Sequence, residues 1–114
     1  MGSYILKSNF KDDIQRFLNL KHSTGHRYTT GQRLLEQFDF MCYSKYPKEF
    51  TLTEEIGIDW ATPRKDESAS ATINRIVTVR EFTKYLINLN RTAFMIPSSY
   101  FPKKRKYISY IYTN

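Results

Sequence analysis

Residues 72–89 read TINRIVTVREFTKYLINL, the longest run in the chain with a single period. At about 100° per residue, Ile76, Val79, Phe82, Leu86 and Leu89 share one face, with Ile73 and Ile87 at its edge. Asn74, Thr78, Glu81, Lys84 and Asn88 fall on the opposite arc. The spacing predicts an amphipathic helix of about 27 Å at roughly 1.5 Å per residue. Ser68 and Ser70 stand just before it as alternative N-caps. Arg75 and Arg80 break the pattern, because both lie within or beside the apolar arc.

Working outward, residues 9–21 predict a first helix with Phe10, Ile14, Phe17 and Leu18 as its stripe. Asp12 and Asp13 fall in its first turn, where the helix dipole favours acids. Ser8 or Asn9 can cap it, and Gly25 can take the left-handed conformation that ends it. A second helix opens at Thr29 or Thr30, with Thr29 and Gln32 at capping-box spacing. Leu34, Leu35, Phe38, Met41 and Cys42 form its inner stripe, Phe40 lies on the opposite side, and Pro47 stops it. Thr53 caps a short third helix carrying Glu54 and Glu55 in its first turn, with Ile56 and Trp60 pointing the same way and Pro63 ending it. Past the fourth helix, Pro97 and Pro102 bracket an extended segment, KKRK follows, and YISYIYTN reads as a strand. The result is a small all-α bundle of four helices with a C-terminal extended or strand segment.

The chain has 114 residues, enough for one domain with a modest core. Eighteen Lys and Arg against eleven Asp and Glu give a net charge of +7 and a pI near 9.6, which biases the partner toward a polyanion. One cysteine excludes an internal disulfide and a cysteine-based zinc site and fits a reducing cytoplasm. No apolar run approaches the roughly 20 residues of a membrane span. The two histidines, His22 and His26, have no acid or cysteine beside them, and no glycine-rich phosphate loop appears. Catalysis, a metal, a cofactor and a small-molecule ligand are therefore not expected of this segment.

Two places combine cations with small polar donors at a helix start. The first runs from Lys21 through His26, Arg27, Tyr28 and Thr30 to Arg33. The second runs from Arg64 and Lys65 to Thr72, Asn74, Arg75 and Thr78. Helix N-termini suit phosphates, hydroxyls add phosphate bonds, and Asn, Gln and Arg reach base edges in a major groove. Lys103, Lys104, Arg105 and Lys106 make a third basic cluster. Double-stranded DNA is the expected partner. The competing expectation is a helical protein-interaction module that assembles subunits through Phe40 and the 107–112 strand, without binding DNA.

The order of FLNLKHSTGHRYTT, LLEQFDFM, LTEEIGIDWAT and TINRIVTVREFTKYL resembles the N-terminal core-binding domain of the tyrosine recombinase (phage integrase) family. The resemblance implies a SAM-like orthogonal four-helix bundle over residues 1–97 that clamps one face of a recombination site. It makes residues 98–114 a basic linker and the first strand of a catalytic domain lying beyond this chain. It also implies a bacterial or phage-encoded cytoplasmic protein, working with other recombinase subunits as a homo-oligomer on DNA during site-specific integration or recombination. Carried over, the groove-facing residues are Lys21, His26, Arg27, Tyr28 and Thr30, then Thr72, Asn74, Arg75 and Thr78, with 103–106 along the backbone. The family's His-x-x-Arg motif is missing, since Gly25 follows His22 and Thr29 follows His26 at that spacing. None of the nine tyrosines is then a nucleophile. Within 72–89 the expectation is a division: Thr72, Asn74 and Arg75 exposed for DNA, and Arg80 paired with Asp39, Asp59 or Glu36.

Overall fold

A computed structural model describes residues 4–25 and 28–102. It contains four helices, α1 (Lys11–Ser23), α2 (Thr29–Lys45), α3 (Glu54–Ala61) and α4 (Ala69–Asn88), and a 3-10 turn at Ser98–Tyr100. The fold is an all-α bundle in which α4 packs against each of the other three helices. His26, Arg27, the 103–106 cluster and the expected strand at 107–114 lie outside the described residues.

Local chemistry explains most helix ends. The Thr53 hydroxyl accepts from the Ile56 N–H and the Ser68 hydroxyl from the Ala71 N–H, each the side-chain cap that a helix start needs. Gly25 has φ +84°, the left-handed geometry expected after α1. Asn90 takes the same region (φ 62°) beyond α4. Its N–H bonds to the Ile87 carbonyl and the Arg91 N–H to the Leu86 carbonyl, the paired closure of a Schellman motif. Thus turned, Arg91 grips Asp13 of α1 with two bonds of 2.8 Å.

Two expected ends differ. No side chain caps α2, whose flanking residue is Tyr28, so the Thr29–Gln32 box does not form. Gln32 instead donates to Glu36 and accepts from His22. At the start of α1, Ser8 caps only Phe10, while Asp39 of α2 accepts from the Lys7 and Ser8 N–H groups and from the Tyr4 hydroxyl. A buried carboxylate on a neighbouring helix therefore holds the chain that leads into α1.

The core is a linked set of rings. Phe38 meets Trp60 edge-on at 5.3 Å, Phe82 stands between Phe38 and Phe17, and Phe10 lies against Phe38. All four helices thus share one aromatic centre, with Ile14, Leu35, Ile56, Ile76 and Val79 buried around it. Cys42 is buried on α2, and burial pushes its thiol well above the ordinary range, so it packs as a small hydrophobe.

The segment directly after α4, for which the sequence offered no reading, returns to the core. Phe94 N–H bonds to the Leu52 carbonyl at 2.8 Å, Leu52 and Ala93 form an isolated parallel bridge, and Ile96 is fully buried. Phe94 can approach because α3 carries Gly57, where a Cβ would stand 2.7 Å from the ring. Between Pro97 and Pro102 the chain makes the 3-10 turn in place of a straight run. No helix among the described residues is long and apolar enough to cross a membrane.

Candidate nucleic-acid interface

The start of α2 and the second and third turns of α4 face one another across a groove of ≈ 520 Å³. Thr29 and Thr30 line it from α2, and Asn74, Val77 and Glu81 from α4. Thr29, Thr30 and Asn74 are exposed there. With no side-chain cap on α2, the Thr29 and Thr30 hydroxyls are not spent on helix capping.

The Tyr28 ring packs on Gly31, whose missing side chain leaves it room, and stands edge-on to Phe17 at 6.1 Å. Burial, then the charge of Glu81, pushes its hydroxyl up to about 12, so at neutral pH it remains a proton donor. Lys21 sits over both rings, 5.3 Å from Phe17 and 5.5 Å from Tyr28, and 3.7 Å from the Glu81 carboxylate. Lys21 and Tyr28 thus form a half-buried cation–aromatic cluster at one end of the groove, which also places an acid there. Arg33 is exposed one turn further along α2.

The other α4 expectations need correction. Arg75, expected to reach DNA from an exposed first turn, is 2% exposed. Its guanidinium bonds to both Glu67 oxygens at 2.7 Å, to the Trp60 carbonyl and to the Thr62 carbonyl at 3.1 Å. Thr72 is buried too, donating to Glu67 at 2.8 Å. Thr78 is buried and donates back to the Asn74 carbonyl. Conversely Arg80, expected to be the structural arginine, is half-buried over the Phe101 ring at 5.5 Å. It pairs with none of Asp39, Asp59 or Glu36: Asp39 holds the chain before α1, Asp59 binds Lys45 and Tyr46, and Glu36 accepts from Gln32. Arg75 is therefore the structural arginine, and the carboxylate pairing expected of Arg80 does not occur.

The burial of Arg75 follows from side-chain reach. Arg75 can bury its charge because the α3 C-terminus and the loop before α4 supply three acceptor groups that no helical wheel displays. Val77 and Glu81 were missed as groove residues. An outward valine one turn after Asn74 was the available signal.

Of the seven net positive charges, the 103–106 cluster carries four, so the rest of the chain is only mildly basic. Among the described residues no set of His, Cys, Asp and Glu side chains is grouped to hold a metal ion. Comparison with protein-family models, with curated proteins and with solved structures finds no match to this chain.

Proposed function

We propose that this domain binds double-stranded DNA along the groove between the start of α2 and the N-terminal half of α4, as a SAM-like core-binding domain of a tyrosine recombinase does. The observation that supports it best is convergence. Thr29, Thr30 and Asn74 come from segments more than forty residues apart, each combining cations with small polar donors, and they line one groove. In this reading Thr30 and Arg33 meet phosphates, Asn74 reaches a base edge, and Lys103, Lys104, Arg105 and Lys106 follow the backbone. Arg75 takes a positioning role: by binding Glu67 it fixes the loop from which α4, and so Asn74, begins. The chain itself cuts no strand, and the cytoplasm of a bacterium is where such a domain would act.

The test is fluorescence anisotropy on a labelled duplex across a salt series. With about five phosphates neutralised, log K should fall against log salt with a slope near −4.5. Asn74→Ala and Arg33→Glu should each weaken binding, while Lys7→Glu, before α1 with its ammonium over the Tyr4 and Tyr43 rings, should have a smaller effect. Salt-independent binding, no binding to duplex, or equal effects of all three substitutions would overturn the proposal.

A further inference from the structure

Two exposed phenylalanines remain outside the DNA face. Phe40 is 52% exposed on the outer side of α2 and stands in a groove of ≈ 540 Å³ with Gln37, Met41 and Ser44, rimmed by Arg33 and Arg64. The Arg64 guanidinium is held in place 4.9 Å over the Trp60 ring. Arg75 lies 5.1 Å over the same ring, and burial and this second cation pull the Arg64 pKa down. A carboxylate arriving at Arg64 would relieve that repulsion.

Phe50, at 68% exposed, lies on the loop between α2 and α3 and does not line that groove. The loop around it is pinned on both sides. Asn9 donates to the Pro47 and Glu49 carbonyls at 2.9 Å, and Leu52 is buried and bonded to Phe94. The ring is therefore held in water by a fixed backbone. Four and five residues on, Glu54 and Glu55 are exposed and take part in no ion pair among the described residues. An aromatic ring followed by two acids matches a groove that carries Tyr4 and Phe40 and whose charged lining, Arg33, Lys45 and Arg64 against the single acid Glu36, is net positive.

We propose that the chain associates head to tail, Phe50 of one copy seating beside Phe40 of the next with Glu54 or Glu55 facing Arg64. The two patches differ, so the contact is heterologous, and an open assembly leaves one groove unused at one end and one ring unused at the other. The charge pairing makes it sensitive to salt. The contact involves no DNA; it shares only Arg33 with the proposed DNA face, and its own charge partner is Arg64.

Sedimentation velocity of the whole chain without DNA, over a wide concentration series at low salt, tests this. Mass should rise past monomer and past dimer with concentration and fall back on adding salt. Phe40→Ser and Phe50→Ser, both at exposed positions and so expected to keep the thermal midpoint, should each abolish association alone. Mixed in equal amounts they should associate again and stop at dimer, because one intact groove meets one intact ring. Glu54→Lys with Glu55→Lys should weaken association at least severalfold. A monomer at every concentration, association that survives either serine variant, or a mixture that stays monomeric would overturn it. Survival in Phe50→Ser would point to a symmetric Phe40 contact, and a strict monomer would leave the groove to a different protein.

Discussion

Arg75 and Glu67 share two bonds of 2.7 Å, the guanidinium lying flat against the carboxylate at the point where the loop after α3 becomes α4. The same carboxylate accepts from the Thr72 hydroxyl and the Arg64 N–H, so one side chain makes three bonds to α4 and one within the loop. The Trp60 indole closes the set by donating to the Arg75 carbonyl at 2.8 Å.

Breaking this pair should be costly and visible. Glu67→Ala leaves a buried guanidinium without its counter-charge, a change worth about 3–5 kcal/mol in comparable buried pairs. Chemical denaturation should show a lower midpoint with an unchanged slope, and Trp60 fluorescence reports the transition directly. A loss below about 1 kcal/mol would place the pair with exposed bridges.

The same pair sets an acid limit. Hydrogen bonds from Arg75 hold the Glu67 carboxyl down to about 2 from an ordinary 4.5. A depressed carboxyl contributes stability above its unfolded value and loses it as pH falls through the folded one. Stability should therefore be level above about pH 5 and decline toward pH 2, and Glu67→Gln should flatten that decline. Urea midpoints across this range measure it.

How far such features can be read from sequence depends on how local their partners are. The Thr53 and Ser68 caps and the Gly25 turn involve residues within three positions, and the residue types alone announce them. The Thr29–Gln32 box was equally well announced and did not form, because His22 and Glu36 engage Gln32. Arg75 departs from its expected exposure because period places a Cβ, whereas a long side chain follows its acceptors, here carbonyls thirteen and fifteen positions away. Thr30 and Asn74 were legible as polar residues at helix starts. Their shared groove was not, since it depends on how α2 crosses α4.

Asp39 is fully buried and receives the Tyr4 hydroxyl at 2.7 Å and two backbone N–H groups. Asp39→Ala strands those donors, each at about 1–3 kcal/mol where burial persists. The segment before α1 should then detach, and amide exchange at Lys7 and Ser8 should accelerate before the rest of the domain is affected. Burial and the Asp39 hydrogen bond raise the Tyr4 pKa, so Asp39→Asn should lower the pH at which the Tyr4 ring resonances report ionisation.

Gly57 is required by contact, since its φ lies outside the left-handed region. Gly57→Ala drives a methyl into the Phe94 ring and should cost about 1–3 kcal/mol, although alanine is the better helix former. Phe94→Leu should relieve the clash, so the double variant should be more stable than the sum of the two single losses. Additive losses in a double-mutant cycle would show that the ring does not set the requirement.

The basic cluster at 103–106 permits the two sources of DNA affinity to be separated. It holds four of the seven net charges, so a chain ending at Pro102 keeps the four helices and the groove but little of the field. If each of the four cations meets a phosphate, truncation should make the salt slope shallower by about 3.6 and weaken binding uniformly across sequences. The Asn74→Ala penalty should be the same in both lengths, because a base-edge contact does not depend on how many phosphates are neutralised elsewhere. A penalty that vanishes with the cluster would mean that Asn74 meets DNA only when the tail holds the duplex against α4. The groove would then be a secondary contact and the tail the primary one.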